Sequence, residues 1–349
     1  MAGQPIIYVD ESHLGRFVTG LERITLELFS QEALAPLPIR PIRASGTARM
    51  IAAQTLRLPA RLAVDRHALA LCPGFPPSIP LSLFGARVIP YIHDCFLLTR
   101  PQDLNWRARI YMAPAFAHAV KRLPWFLANS ETTRSELARF VRPDAEITLY
   151  RPRIRDVFGV ADPARPPRVW RAGTPLRLIA IGTVEPRKNL AASAAIVAAL
   201  RARGIDAHLD IVGRFGWGDE TTALQADPHV TLHGYQEAEA VRALIGSAHA
   251  LISTSHDEGL GLTLLEAQHG GLDVIASDLP VFREVLGASG LLVDPARPGE
   301  AADAIIARAG DLERAAALAA ANLARWNASA DQDRLALVER LQRHFRVLA

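Results

Sequence analysis

The sequence has 349 residues, 50% of them hydrophobic and 21% charged, with 23 glycines, 24 prolines and no low-complexity tract. That excludes a mini-scaffold and a disordered, collagen-like or coiled-coil chain, and it suits two globular domains of about 100–200 residues each. The 39 basic and 36 acidic residues leave only +3, and Lys121 and Lys188 are the sole lysines, so a lysine in this arginine-rich chain invites inspection.

From the N-terminus, short apolar runs alternate with helical patterns, the arrangement of a parallel sheet covered by helices on both faces. The first half reads as strands at 6–10, 68–72, 87–93, 126–129 and 146–149, with helices near 21–31, 105–121 and 130–140. Ser130 followed by Glu131 is a polar cap with acid in the first turn. The half up to Arg165 holds 21 basic and 14 acidic residues, +7, against 18 and 22, −4, beyond it. Most of the excess lies at Arg40, Arg43, Arg49, Arg57, Arg61 and Arg66. Such a basic, partly apolar stretch either rests on anionic lipid or is a solvated arginine-rich loop. Nucleic acid is not expected, because the stretch lacks aromatic residues for stacking. Cys72 and Cys95 make neither a disulfide framework nor a metal site and fit a reducing cytoplasm. No apolar run of about 18 residues and no signal-peptide pattern is present, so any membrane contact is expected to be peripheral.

Residues 151–175 are rich in Pro and Arg and read as a linker. Beyond it, strands are expected at 176–182, 208–213, 230–233, 250–254 and 274–277, with helices near 190–203, 238–245, 263–269, 281–286 and 299–308. Two doubly wound α/β domains joined there would place their ligands beyond the carboxyl ends of the strands.

Two of those strand ends carry chemistry. Gly182-Thr183-Val184-Glu185-Pro186-Arg187-Lys188-Asn189 puts adjacent cations before a helix, where the helix dipole disfavours them unless an anion arrives; arginine's planar fork suits phosphate oxygens. No G-x-G-x-x-G follows a strand and no Walker lysine loop occurs, which argues against a nicotinamide enzyme or a P-loop NTPase. The loop Ser255-His256-Asp257-Glu258-Gly259-Leu260-Gly261 leads into a second helix, where glycines admit a ligand and the amides of Leu262, Thr263 and Leu264 suit phosphate. Glu258 and Glu266, with seven residues between them, suit hydroxyl groups better than phosphates. A phosphate between hydroxyl-rich pieces describes a nucleotide sugar; a plain strand-to-helix turn with Glu258 as a capping acid is the other reading.

With Asp278-Leu279-Pro280-Val281-Phe282-Arg283-Glu284-Val285 added, these segments are similar to the donor-binding half of retaining glycosyltransferase family 4, of the GT-B fold. In the first half Val18-Thr19-Gly20-Leu21-Glu22-Arg23 resembles that family's glycine loop, His93-Asp94 its post-strand HD, and Ala128-Asn129-Ser130-Glu131 its strand end. The resemblance implies two Rossmann-like domains facing across a cleft. Residues 1–165 would bind the acceptor and 166–330 the donor, and a helix over 331–349 would pack back on the first domain. It assigns Arg187 and Lys188 to the diphosphate, Glu258 to the transferred sugar, and Glu266 to the ribose. Gly182, Gly261, Leu262 and Thr263 would lie along the diphosphate, Tyr235 against the base, and His93 near the sugar. Thr19, Gly20 and Asp94 would lie on the acceptor side. Leu149-Tyr150-Arg151 stands where the family carries Asn-Gly, Thr263 where it often has Pro, and His269-Gly270-Gly271 where it has small residues and Cys-Gly.

The implied activity is metal-independent, retaining transfer of a hexose (mannose, rhamnose or glucose). The donor would be a GDP-, UDP- or dTDP-sugar and the acceptor a lipid-linked or oligosaccharide glycan, in cell-surface polysaccharide or lipopolysaccharide synthesis. No cofactor is implied. The setting would be cytoplasmic, on the inner membrane face, with Arg40–Arg66 a candidate membrane contact. A GT-B nucleotide-sugar epimerase and a non-catalytic scaffold are the alternatives; intact Arg187, Lys188, Glu258 and Glu266 argue against the scaffold. Asp331-Gln332-Asp333 spells D-x-D but is read as the N-cap of the last helix, so no metal is expected. His67, His118, His208, His229 and His344 show no ligand spacing.

Overall fold

A computed structural model describes residues 5–15, 20–104, 106, 108–159, 170, 171, 173–216, 220–309 and 312–348. The chain divides into two compact units, residues 1–153 with 328–349, and residues 154–327. Each is built on a six-stranded parallel sheet. In the first unit β1 (Ile6–Glu11), β2 (Ile39–Arg43), β3 (Ala68–Cys72), β4 (Val88–Ile92), β5 (Trp125–Ala128) and β6 (Glu146–Leu149) run in the order β2-β1-β3-β4-β5-β6. Every residue of β1, β3, β4 and β5 is buried, as expected of strands covered on both faces. The second unit orders β7 (Leu176–Ile181), β8 (Ala207–Val212), β9 (Val230–Gly234), β10 (Ala250–Ser253), β11 (Asp273–Ser277) and β12 (Leu291–Val293) as β12-β11-β10-β7-β8-β9. This is the doubly wound α/β class, twice over.

Four departures from the expected elements have physical reasons. β2 escaped notice because IRPIR is charged and carries Pro41, which an edge strand tolerates. β12 is three residues long, too short for a periodicity. Residues 40–66 are not a loop: beyond β2 they form a helix Thr47–Ala52, a π-helical turn Ala53–Arg57 and a helix Leu58–Val64. Their apolar face, Ala53, Leu58 and Leu62, joins the first unit's core, while the six arginines stay exposed. The last helix runs from Leu312 to Leu348, so Asp331 and Asp333 lie well inside it and cap nothing. They hold arginines instead: Asp333 Oδ2 accepts from Arg151 Nη1 at 2.9 Å and from its backbone N at 3.2 Å. Trp326, on the same helix, is 1% exposed in the second unit's core.

Candidate functional site

In a parallel sheet all carboxyl ends lie on one side, so the loops after neighbouring β7 and β10 meet. The β7 loop turns through a 3₁₀ segment, Pro186–Lys188, into the helix Leu190–Ala202. Asn189 between them is left-handed, φ 49°, a conformation Asn tolerates better than most residues. Thr254 Oγ1 donates to the Asn189 carbonyl at 2.7 Å and lies 2.7 Å from Ser193 Oγ, with Thr254 and Ser193 both fully buried. His256 N donates to the Arg187 carbonyl at 2.8 Å. The two loops are therefore bolted together before any charge is considered.

The charges then converge. Glu258 Oε2 is 2.8 Å from Arg187 Nη1, and Glu258 Oε1 accepts from Lys188 Nζ at 2.5 Å and from Ser255 Oγ at 2.8 Å. Arg187 Nη2 reaches Glu185 Oε1 at 2.6 Å, and its Nη1 donates to the Asp257 carbonyl at 2.9 Å. Burial alone would raise the Glu258 carboxyl pKa, but the adjacent Lys188 and Arg187 outweigh it and hold the group below its ordinary value. Arg187 moves the other way: desolvation is its largest influence, yet Glu258 and Glu185 more than offset it and strengthen the cation. Two carboxylates balance two cations, so an arriving diphosphate would compete with Glu185 and Glu258 for Arg187 and Lys188.

Gly182 opens the same loop, and Gly182, Thr183, Lys188, Ser253 and Ser255 line one small cavity. A Cβ at Gly213, the end of β8, would lie 1.8 Å from the Gly182 carbonyl oxygen, so only glycine fits there. Gly261 precedes the helix Leu262–His269 with φ 80°, and a Cβ on it would strike Phe282 at 2.6 Å. One expectation fails here. The Leu264 amide is already bonded to the Gly261 carbonyl at 3.0 Å, which leaves Leu262 and Thr263 as the candidate phosphate-facing amides. Glu266 sits inside that helix, 5% exposed. Beyond β8 and β9, Tyr235 is exposed with the Arg214 guanidinium 5.1 Å from its ring centroid, and Phe215 is exposed beside Gly234.

The first unit's strand ends are also tied together. Asn129 Nδ2, after β5, donates to the His93 carbonyl, after β4, at 2.8 Å, so the two short motifs form one bonded unit. His93 Nε2 lies 2.6 Å from the Pro73 carbonyl and is therefore the protonated nitrogen, leaving Nδ1 as an acceptor. Desolvation pulls the His93 pKa down to about 4, against the Pro73 hydrogen bond and with help from His13, so the ring is neutral at pH 7. Asp94 Oδ1 accepts from Phe96 N at 3.0 Å. A Cβ at Gly20 would meet nothing within 4 Å, so packing does not demand glycine there. Thr19 lies outside the described residues.

Sequence reasoning missed Glu185, Ser193, Thr254, Ser255 and Phe215, because periodicity does not reveal which loops touch. Among the described residues no helix is long and apolar enough to cross a membrane.

Residues 175–311 match the family model described as Glycosyl transferases group 1, so the second unit carries such a domain. The chain is 30% identical over 221 residues, 58% of its length, to the serotype-specific mannosyltransferase WbdA of Escherichia coli, covering 27% of that protein. It is 26% identical over 223 residues to the O-antigen chain mannosyltransferase B of E. coli, covering 60% of this chain and 58% of that one. The chain thus spans only part of these relatives. Among solved structures it resembles Anabaena HepE in complex with UDP and glucose, with TM-score 0.66, 16% identity, and 97% and 100% of the two chains covered. It also resembles WaaG, a glycosyltransferase involved in lipopolysaccharide biosynthesis, with TM-score 0.60, 14% identity, and 93% and 95% covered.

Proposed function

We propose that this chain, a polysaccharide-mannosyltransferase-like GT-B protein with a group 1 glycosyltransferase domain, transfers a hexose from a nucleoside diphosphate sugar to a glycan acceptor with retention and without a metal ion. The acceptor is a lipid-linked or oligosaccharide glycan in cell-surface polysaccharide synthesis, and mannose heads the candidate sugars. The observation that carries this reading is the cluster of Arg187, Lys188 and Glu258, in which two cations at strand ends are held by a carboxylate able to exchange them for hydroxyl groups.

On this reading the cations take the diphosphate, and their charge stabilises the leaving group as negative charge builds on it, the effect that usually dominates such catalysis. Glu258, released from them, orients the sugar. The bond from the anomeric carbon to the diphosphate oxygen breaks, the acceptor oxygen bonds to that carbon, and the acceptor proton passes to the departing phosphate. No carboxylate nucleophile is required. The exposed arginines between Arg40 and Arg66 face anionic lipid at the inner membrane surface.

Incubation with radiolabelled GDP-mannose, UDP-glucose and dTDP-rhamnose and a membrane extract as acceptor source should move label from one donor into a glycan. Folded protein that turns over none of them would end the proposal.

A further inference from the structure

A cavity of about 700 Å³ is lined wholly by residues of the first unit. Its walls come from the β1 and β2 loops, the helix after β2, Glu22, Phe75, Trp106, Ile110, Tyr111 and Met112. Both methionines beyond Met1, Met50 and Met112, line it with Leu14, Ile51, Trp106 and Ile110. Flexible thioethers among branched aliphatics fit an irregular apolar chain better than the flat face of a sugar. Trp106 and Ile110 are 67% and 70% exposed, so apolar surface continues out to the rim.

Around Ser12, His13 and Tyr111 the wall is backed by a bonded polar network. Asp10 accepts from Ser12 N at 3.0 Å and Gln54 Nε2 at 2.9 Å, and Gln54 Oε1 accepts from Tyr111 Oη at 3.1 Å. His13 Nε2 is 3.0 Å from Thr25 Oγ1, and a Cβ on Gly74 would overlap the His13 ring, so the imidazole has no room to move. Ser12, 3% exposed, lines the cavity with an Oγ that has no hydrogen-bond partner among the described residues. A buried hydroxyl left in that state is destabilising, and a ligand hydroxyl would recover the loss.

We propose that this cavity binds the apolar carrier chain of the acceptor directly beside the accepting saccharide, whose hydroxyl meets Ser12. The inference rests on the glycosyl-transfer reading and deepens it. A site of this volume holds one drug-sized ligand, so chain and sugar share it only when they are adjacent. The enzyme therefore acts early, on one or two sugars attached to a polyprenyl- or acyl-type anchor, and not at the far end of a long glycan.

The test titrates n-octyl α-D-mannopyranoside and methyl α-D-mannopyranoside, below micelle-forming concentrations, into the protein and follows binding by calorimetry. A parallel arm titrates GDP and UDP. The octyl ligand should bind at least tenfold more tightly than the methyl one. Trp106→Ala and Ile110→Asp, at exposed positions that should still fold, should bring the two within twofold and leave the nucleotide response unchanged. Equal binding of the two glycosides by the unsubstituted protein would overturn the inference, as would an octyl preference that survives both substitutions. Dihexanoylphosphatidylglycerol binding as tightly as octyl mannoside would also overturn it, by pointing to membrane lipid. Loss of every nucleotide response in the unsubstituted protein would count against the glycosyl-transfer reading instead.

Discussion

The two units repeat one architecture, yet their strand ends are built for opposite solvents. In the second, Arg187, Lys188, Glu185 and Glu258 lean on one another in ion pairs. In the first, the ring of His93 is held neutral by burial, and the loops after β1 and β2 line a mostly apolar cavity. The scaffold supplies only a place, beyond the carboxyl ends of the strands. What is bound there follows from whether those few loop residues carry charges that need a counter-ion or surfaces that need to be dry.

The sharpest way to break this contrast is to remove charge from the second unit. Lys188→Ala and Arg187→Ala should each lower turnover by about a hundredfold to a thousandfold, the usual cost of deleting one group that stabilises a developing anion. Initial rates at saturating donor would show it. Glu258→Gln divides the cluster differently. It should abolish sugar transfer yet tighten binding of the free nucleoside diphosphate, because the cations lose their resident competitor. Calorimetry that finds weaker nucleotide binding in this variant would show that Glu258 holds the cations in position and does not compete for them.

Next in size is geometry. Gly213→Ala would drive a Cβ into the Gly182 carbonyl oxygen, separating β8 from the loop that carries Arg187. A loss of about 2–4 kcal/mol is expected in chemical denaturation, of the kind overpacking against backbone produces. Gly20→Ala, where a Cβ meets no neighbour, should leave stability unchanged to within about 0.5 kcal/mol. If it also leaves turnover unchanged, the glycine has no role toward ligand.

The neutral unit is tested by pH. His93 has its folded pKa near 4 against an unfolded value of 6.5. Between those values the unfolded chain binds more protons, so stability is fully present above pH 6.5 and drains away as pH falls toward 4. The total for this group is about 3 kcal/mol. His93→Asn should flatten the pH 4–6.5 segment of a stability profile while Lys188→Ala leaves it intact.

How much of this was legible from the sequence depended on whether the signal was local. β3 falls where its apolar run predicts, because the positions that must be buried are contiguous. β2 was hidden by its arginines and Pro41, since an edge strand can spend one face and one ladder on solvent. The last helix was expected to start at Asp331, because a D-x-D pattern after a small-residue run imitates a cap; in fact the Ala-rich stretch from Leu312 is already helical and the aspartates pair with arginines. Arg187, Lys188 and Glu258 could be found because each follows a recognisable strand. The buried Thr254, Ser193 and Ser255 that position them could not, since their bonds join residues about 60 to 70 apart or lie within a loop whose shape was unknown. The cavity was invisible for the same reason: its walls are drawn from several separate segments.

The claim on which the rest depends is that Arg187 and Lys188 are a diphosphate site, and thermal unfolding with and without sugar nucleotides tests it most directly. At 100 times its dissociation constant, the cognate member of GDP-mannose, UDP-glucose and dTDP-rhamnose should stabilise the protein by about 2.7 kcal/mol, and Lys188→Ala should abolish that gain. A folded protein whose stability is unchanged by all three donors, or a Lys188→Ala variant stabilised as much as the parent, would contradict the account.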